Sequence, residues 1–300
     1  MGSAKHSQLE ARLKGVKGLN AVGTYEVVPF LPERNATLDT LRWAKKRHQI
    51  PILLEVDVTR ARERIREYRR RTGVGLSLTG WVVSCVARAA AEHPRVHSIR
   101  SGRRKLVLVS EVDVAVVLER AVAAERGNET LPMPFVIRNA EKKTAAEVHE
   151  EIRSAQESEV APGTSSIERG VAPWLQSLFF RSPAWLRDLV FWRWFLRNPV
   201  RIKEAMGTVV VTAVGMMAPG VLAWGVPLSL HPLAVSVGGI TQRHTLTGKQ
   251  DVLALTVVFD HAVTDGAPVG RFIRRLNELM KAAEGLDSQR GPEGQEAGES

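Results

Sequence analysis

Apolar positions recur along this chain in two rhythms. Around residues 52–58, 106–109, 112–118, 208–214, 233–237 and 253–259, β-branched and other apolar residues alternate or run together between polar stretches. That is the signature of strands. A helical rhythm occupies 36–48, 60–71, 81–92 and 144–157, and returns at 267–283 after the last strand. Thr59 stands where an N-cap belongs for the helix 60–71, and a short strand is expected at 25–32. The helix 81–92 is apolar nearly all round, which predicts burial. Strands and helices alternate in mixed order without an internal repeat. The pattern predicts an α+β sandwich built on a mixed sheet rather than a doubly wound fold.

One stretch departs from both rhythms. Between 174 and 200 stand Trp174, Phe179, Phe180, Trp185, Phe191, Trp192, Trp194 and Phe195, interleaved with Arg181, Arg187, Arg193 and Arg197. Pro173, Pro183 and Pro199 divide the stretch, so two short helices are expected. So large an apolar load must be covered. Three coverings suit it: the chain's own domain, a subunit or partner interface rich in Trp and Arg, and peripheral contact with a membrane surface.

Composition narrows the classes. Three hundred residues with 44% apolar content support a sizeable core. No segment reaches eighteen uninterrupted apolar residues, so no transmembrane helix is expected. No stretch at the N-terminus has the form of a signal peptide. The one cysteine, Cys85, has no internal partner. It reads as a buried small hydrophobe in a reducing, cytoplasmic setting. The formal net charge is +10, which suits attraction of anions such as cofactor phosphates or an acidic partner. The basic residues are dispersed and no recognition-helix or zinc signature accompanies them, so no nucleic acid partner is expected. The eight histidines form no metal-ligand pattern, and no P-loop or Rossmann glycine loop occurs.

The chemistry concentrates at the end of the last strand. Its apolar run closes on Phe259-Asp260-His261-Ala262-Val263-Thr264-Asp265-Gly266 and then enters a helical pattern. A side chain that titrates near neutrality thus stands at the end of a rigid element, with a carboxylate four residues on. Such a histidine is placed to take a proton from a thiol or hydroxyl. Four other segments accompany it in order: Glu55-Val56-Asp57-Val58-Thr59 before a basic helix; Leu76-Ser77-Leu78-Thr79 entering the apolar helix; Val136-Ile137-Arg138-Asn139-Ala140-Glu141-Lys142-Lys143-Thr144; and Gly207-Thr208-Val209-Val210-Val211-Thr212-Ala213-Val214-Gly215.

Together these segments resemble the chloramphenicol acetyltransferase-like superfamily. They are most similar to the catalytic domain of the dihydrolipoamide acyltransferase component of 2-oxo-acid dehydrogenase complexes. The resemblance runs from about residue 51 to 283. It implies that fold, and transfer of an acyl group between thiols, with coenzyme A as a substrate. It implies His261 as general base and Thr212 in place of the family's oxyanion-binding serine. Asp265 belongs to the same site, mainly by pairing with an arginine that fixes the loop; Arg34 is the expected partner, with Arg42 and Arg47 as alternatives. Gly266 is expected to relieve crowding at the helix entry, and Arg138, Asn139, Lys142 and Lys143 to line the cofactor entrance. It further implies a homotrimer, with His261 and Thr212 contributed by neighbouring subunits.

The chain departs from the family in three places. About fifty residues precede Pro51, too few for lipoyl and subunit-binding domains. A lipoyl group is therefore expected in trans, on a lipoyl-carrying protein or dehydrogenase component. The stretch 162–206 is longer than its family counterpart. The tail 285–300 is polar and glycine-rich where family chains carry an apolar assembly anchor. Residues 1–20 read as a flexible basic arm, 21–284 as the catalytic domain with the insertion at 162–206, and 285–300 as a disordered tail. Two alternatives stand beside the stand-alone acyltransferase. One is a non-catalytic scaffold of the same fold, docking a partner through the aromatic insertion. The other is the wider group that includes peptide-condensing domains, disfavoured because Asp260 rather than a second histidine precedes His261.

Overall fold

The computed structural model describes residues 34–124, 127–157, 178–179, 181–215, 220–246 and 248–286. All of them lie within the unit Pro32–Ser300. The basic arm, the strand expected at 25–32, residues 174–177 and 180 of the aromatic stretch and the tail beyond 286 fall outside the described residues.

Six strands form one mixed sheet. They are β1 (Gln49–Asp57), β4 (Val114–Ala124), β5 (Gly127–Ile137), β6 (Val209–Ala213), β7 (Leu233–Thr245) and β8 (Gly248–Asp260), in the order β1-β8-β7-β6-β4-β5. The pairs β4·β6 and β6·β7 are parallel; β1·β8, β7·β8 and β4·β5 are antiparallel. Two short strands, β2 (Ile99–Ser101) and β3 (Lys105–Val107), pair apart from it. The strand β5 is absent from the apolar rhythm because Pro132 and Pro134 interrupt it. The sheet tolerates them because β5 is an edge strand, where a missing donor costs no ladder bond.

The helices are α1 (Arg34–Ala44), α2 (Thr59–Thr72), α3 (Leu78–Glu92), α4 (Ala145–Glu157), α5 (Ala184–Arg187), α6 (Arg193–Phe195), α7 (Pro199–Met206) and α8 (Gly266–Lys281). A π-helical turn, Asp188–Trp192, joins α5 to α6. Ser77 caps α3 by accepting the Gly80 N–H at 2.8 Å. Thr59 is not the N-cap expected of it. Val58 holds that place and Thr59 is the first helical residue, its N–H and hydroxyl both donating to the Asp57 carboxylate, at 2.9 and 2.6 Å.

The main core lies between α3, α4, α8 and one face of the sheet. Along α3, Trp81, Val82, Val83, Cys85, Val86, Ala87, Ala89 and Ala90 are buried, as the all-round apolar pattern predicts. Burial pushes the Cys85 thiol up to about 12, which removes it as a nucleophile. On the sheet, Val209, Val211, Leu233, Val235, Val237, Leu253, Leu255, Val257 and Phe259 face this core, every second residue of each strand. The intervening Val210, Ala234 and Val258 join Ala115 in a smaller cluster on the opposite face.

The segment between β6 and β7 strengthens that arrangement. Trp224 donates to the Leu54 carbonyl of β1 at 3.0 Å, and Gly239 N–H to the Ala223 carbonyl at 3.1 Å. β7 bulges between Val237 and Ile240 to receive it. A Cβ at Gly238 would stand 2.1 Å from the Ala223 carbonyl oxygen, so only glycine admits this approach.

Candidate active site

β8 is buried without interruption from Asp251 to Asp260, and the next residue, His261, is exposed. The strand therefore delivers the histidine to the surface from a rigid base. The His261 N–H donates to the His48 carbonyl at 2.8 Å, which extends the β1·β8 ladder by one bond. Its ring lies 5.9 Å from Phe259 between centroids. The side chain is 46% exposed, so a substrate has access to it.

Asp260, beside it, is 1% exposed and organises the loop. Its Oδ1 accepts the Ala262 N–H at 3.0 Å, and its Oδ2 receives the Arg47 guanidinium at 3.3 Å. Its main-chain carbonyl accepts the N–H groups of Val263 and Thr264. Asp265 does none of this. Its side chain is 85% exposed, and its Oδ1 faces His261 Nδ1 at 3.7 Å. The loop-fixing ion pair expected of Asp265 is thus made by Asp260, with Arg47. Arg42 is engaged by Asp39 and Asp188, and Arg34 is exposed at the start of α1. Gly266 also departs from expectation. An added Cβ there meets no atom within 4 Å, because the start of α8 faces open space within one chain.

Thr212 is half-buried on β6, opposite Ser236 of β7, which lies opposite Thr256 of β8. Each is two residues from Val210, Ala234 or Val258 on its own strand, so the three share their face of the sheet. Thr212 is two strands across from β8 and level with Thr256, five residues before His261. Strand rise and spacing put the two side chains roughly 20 Å apart within one chain. No rotamer change closes that gap.

The Arg138–Lys143 segment is bound to the protein itself. Asp113 accepts Arg138 Nη1 at 2.9 Å and the Asn139 N–H at 3.0 Å. Asn139 adopts φ 48°, a left-handed conformation that asparagine tolerates. Arg138 also donates to the Lys203 and Glu204 carbonyls at the end of α7. Lys143 pairs with Glu151, and Lys142 is exposed. Asp113 precedes β4, so this cluster stands at the same end of the sheet as His261 but about 14 Å away, three strand spacings.

Sequence reasoning missed the role of Asp260 and a buried histidine, His231; it offered Arg47 only as an alternative partner for Asp265. The His231 Nε2–H donates to the Met206 carbonyl at 2.8 Å, and Nδ1 accepts from the Ser229 hydroxyl at 2.7 Å. Burial pushes its pKa down to about 4, which keeps it neutral. Only Asp260 carried a sequence signal, a charged residue closing an apolar run. Among the described residues, no group of three His, Cys, Asp or Glu side chains converges as a metal site.

Residues 22–162 match the model of the 2-oxoacid dehydrogenases acyltransferase (catalytic domain) family. No curated protein matches. The fold is similar to that of a probable dihydrolipoamide acetyltransferase from Listeria monocytogenes, with TM-score 0.61 and 17% identity over 89% of this chain and 98% of that one. It is similar, at TM-score 0.61 and 16% identity over 90% of this chain and 97% of that one, to the cubic core of the pyruvate dehydrogenase multienzyme complex. The same values relate it to the dihydrolipoamide acetyltransferase of Azotobacter vinelandii, studied for the catalytic roles of a serine, a histidine and an asparagine.

Proposed function

We infer, from a chain that carries the fold of the dihydrolipoamide acyltransferase catalytic domain and matches that family over residues 22–162, that it transfers an acyl group between thiols. Coenzyme A is one substrate, and dihydrolipoamide or a similar carrier thiol the other. The protein acts as a homotrimer, and His261 of one subunit meets Thr212 of the next. The observation that carries this reading is their separation. A base and a hydroxyl donor stand on accessible positions of one sheet, yet roughly 20 Å apart by strand register. A site that uses both needs two copies of the chain.

The chemistry then follows from the side chains. With Nδ1 turned toward Asp265, Nε2 of His261 takes the proton from the acceptor thiol. The thiolate sulfur attacks the thioester carbonyl carbon, and the electron pair moves to the carbonyl oxygen. The Thr212 hydroxyl donates a hydrogen bond to that oxyanion, a contribution of about 3 kcal/mol when such a donor is preorganised. Collapse expels the departing thiolate, which takes the proton back from His261. Asp265 steadies the imidazolium at low cost in stability, since it is exposed.

The test is acetyl transfer from acetyl-coenzyme A to free dihydrolipoamide. His261→Ala should lower kcat by about 10²–10⁴-fold. Thr212→Ser should retain activity and Thr212→Val should lose most of it. Mixed trimers of His261→Ala and Thr212→Val chains should regain a fraction of parental activity, because some interfaces pair the two intact residues. The double variant should stay inactive. Mixed trimers no better than either parent variant would refute the shared site. An inactive parent chain would favour the scaffold reading instead.

A further inference from the structure

The aromatic segment has two faces of opposite character. Its inner face is held by the protein. Trp192 and Phe195 are buried with Ala44, Ile99, Ile202, Met206 and Leu230. Arg187 is buried too, and grips Asp39 of α1 with Nε at 2.6 Å and Nη2 at 3.0 Å. Its outer face is uncovered. Trp185 is 67% exposed, Leu189 58%, Val190 62% and Trp194 51%. These positions recur at helical spacing through α5, the π-helical turn and α6, so they form one stripe. Val200, at the start of α7, is 58% exposed.

Arginines border that stripe. Leu189, Arg193, Trp194, Arg197 and Arg201 line a cleft of about 510 Å³ with no acidic residue in its wall. The Arg201 guanidinium lies 3.6 Å over the Trp194 ring. Among the described residues, no carboxylate pairs with Arg193, Arg197 or Arg201. The arginine that faces inward has a carboxylate partner; among the described residues Arg193, Arg197 and Arg201 have none.

We propose that this outer face docks the protein on a bilayer containing anionic phospholipid, with Trp185, Leu189, Val190 and Trp194 seated among the upper acyl chains and Arg193, Arg197 and Arg201 on the headgroup phosphates. The charge complementarity is direct: guanidiniums with no carboxylate partner among the described residues rim an apolar stripe, the composition of a helix that lies in the membrane interface. No helix among the described residues is long and apolar enough to cross a membrane, so attachment is from one side. The net charge of +10 adds a longer-range pull toward an anionic surface. A second copy meeting this face would bring a second set of arginines to a cleft whose wall holds no acidic residue to receive them. A bilayer needs no matching cavity and accepts a protruding stripe.

The experiment is sedimentation of the full chain with phosphatidylcholine vesicles, with and without phosphatidylglycerol. The parent should pellet with the anionic vesicles, remain in solution with the neutral ones, and be released by added salt. Trp185→Ser with Trp194→Ser should weaken binding by about tenfold or more. Arg193→Ser with Arg197→Ser should abolish the preference for anionic lipid. Thermal melts that match the parent would certify the fold of each variant. The milder pair Trp185→Phe and Trp194→Phe keeps the packing. It should lose the quenching of tryptophan fluorescence by bromine-labelled acyl chains that the parent shows. The proposal is overturned if the parent ignores anionic vesicles, or if the serine variants bind as the parent does. It is overturned equally if the tryptophan variants turn monomeric while the parent binds no vesicles, which would make the face a subunit contact. None of these readouts depends on acyl transfer.

Discussion

Two aspartates five residues apart divide the work around His261. Asp260 is buried, accepts a loop N–H and pairs with Arg47, while Asp265 is exposed beside the imidazole. Removing charge from the first takes the ionic partner from the half-buried Arg47 and loosens the loop. Removing it from the second leaves the fold alone. Asp260→Asn should therefore lower the melting temperature by several degrees, a cost of about 1–3 kcal/mol. Asp265→Asn should melt like the parent and change only the rate. Differential scanning calorimetry of the two variants checks this, and the reverse pattern would return the structural role to Asp265.

At the scale of elements, α1 joins the aromatic segment to the catalytic end of the sheet. Asp39 receives Arg187, Arg42 and the Trp192 indole, and Asp188 receives Arg42 and the Trp43 indole. The chain then passes through Arg47 and His48, whose contacts hold Asp260 and His261. Arg187→Met removes the bidentate partner of the buried Asp39 carboxylate but leaves it Arg42 and the Trp192 indole, and should cost about 1–3 kcal/mol. Adding Asp39→Asn should recover part of the loss, since the under-compensated buried charge is then gone. Urea unfolding of the single and double variants measures both. Additive losses would show that the pair carries no coupling.

For the whole molecule, two buried histidines set an acid limit. Burial pushes His97 and His231 to about 4 from an ordinary 6.5. Below pH 6.5 the unfolded chain binds protons at both, while the folded chain refuses them until about pH 4. Stability is then present above the unfolded value and falls as pH drops from 6.5 toward 4, by on the order of 3 kcal/mol for each group over the full span. Melting temperatures should decline steadily across that window and be flat from pH 7 to 8. A midpoint unchanged between pH 7 and 5 would show that these histidines do not govern acid stability. Light scattering of the intact protein should report a mass near three times 33.1 kDa. A monomer would remove the proposed shared site.

Much of this molecule is legible in the residue order, because local rhythm reports burial on one side of an element. The apolar helix α3, the core-facing alternation of β6 and β7, and the exit of β8 at His261 all follow from spacing. The ordered segments carry the family resemblance for the same reason: each is a local string. What tertiary structure decided are the choices among chemically equal residues. Asp260 rather than Asp265 takes the arginine, because its carboxylate is the one the fold brings to the donor. β5 forms despite its prolines because the sheet puts it at an edge. In the aromatic segment the sequence could not separate Trp192 from Trp194, two residues of one kind within one turn. The docking of α1 buries the first and leaves the second exposed. A side chain's neighbours across a fold are set by packing at long sequence distance, and no local pattern records them.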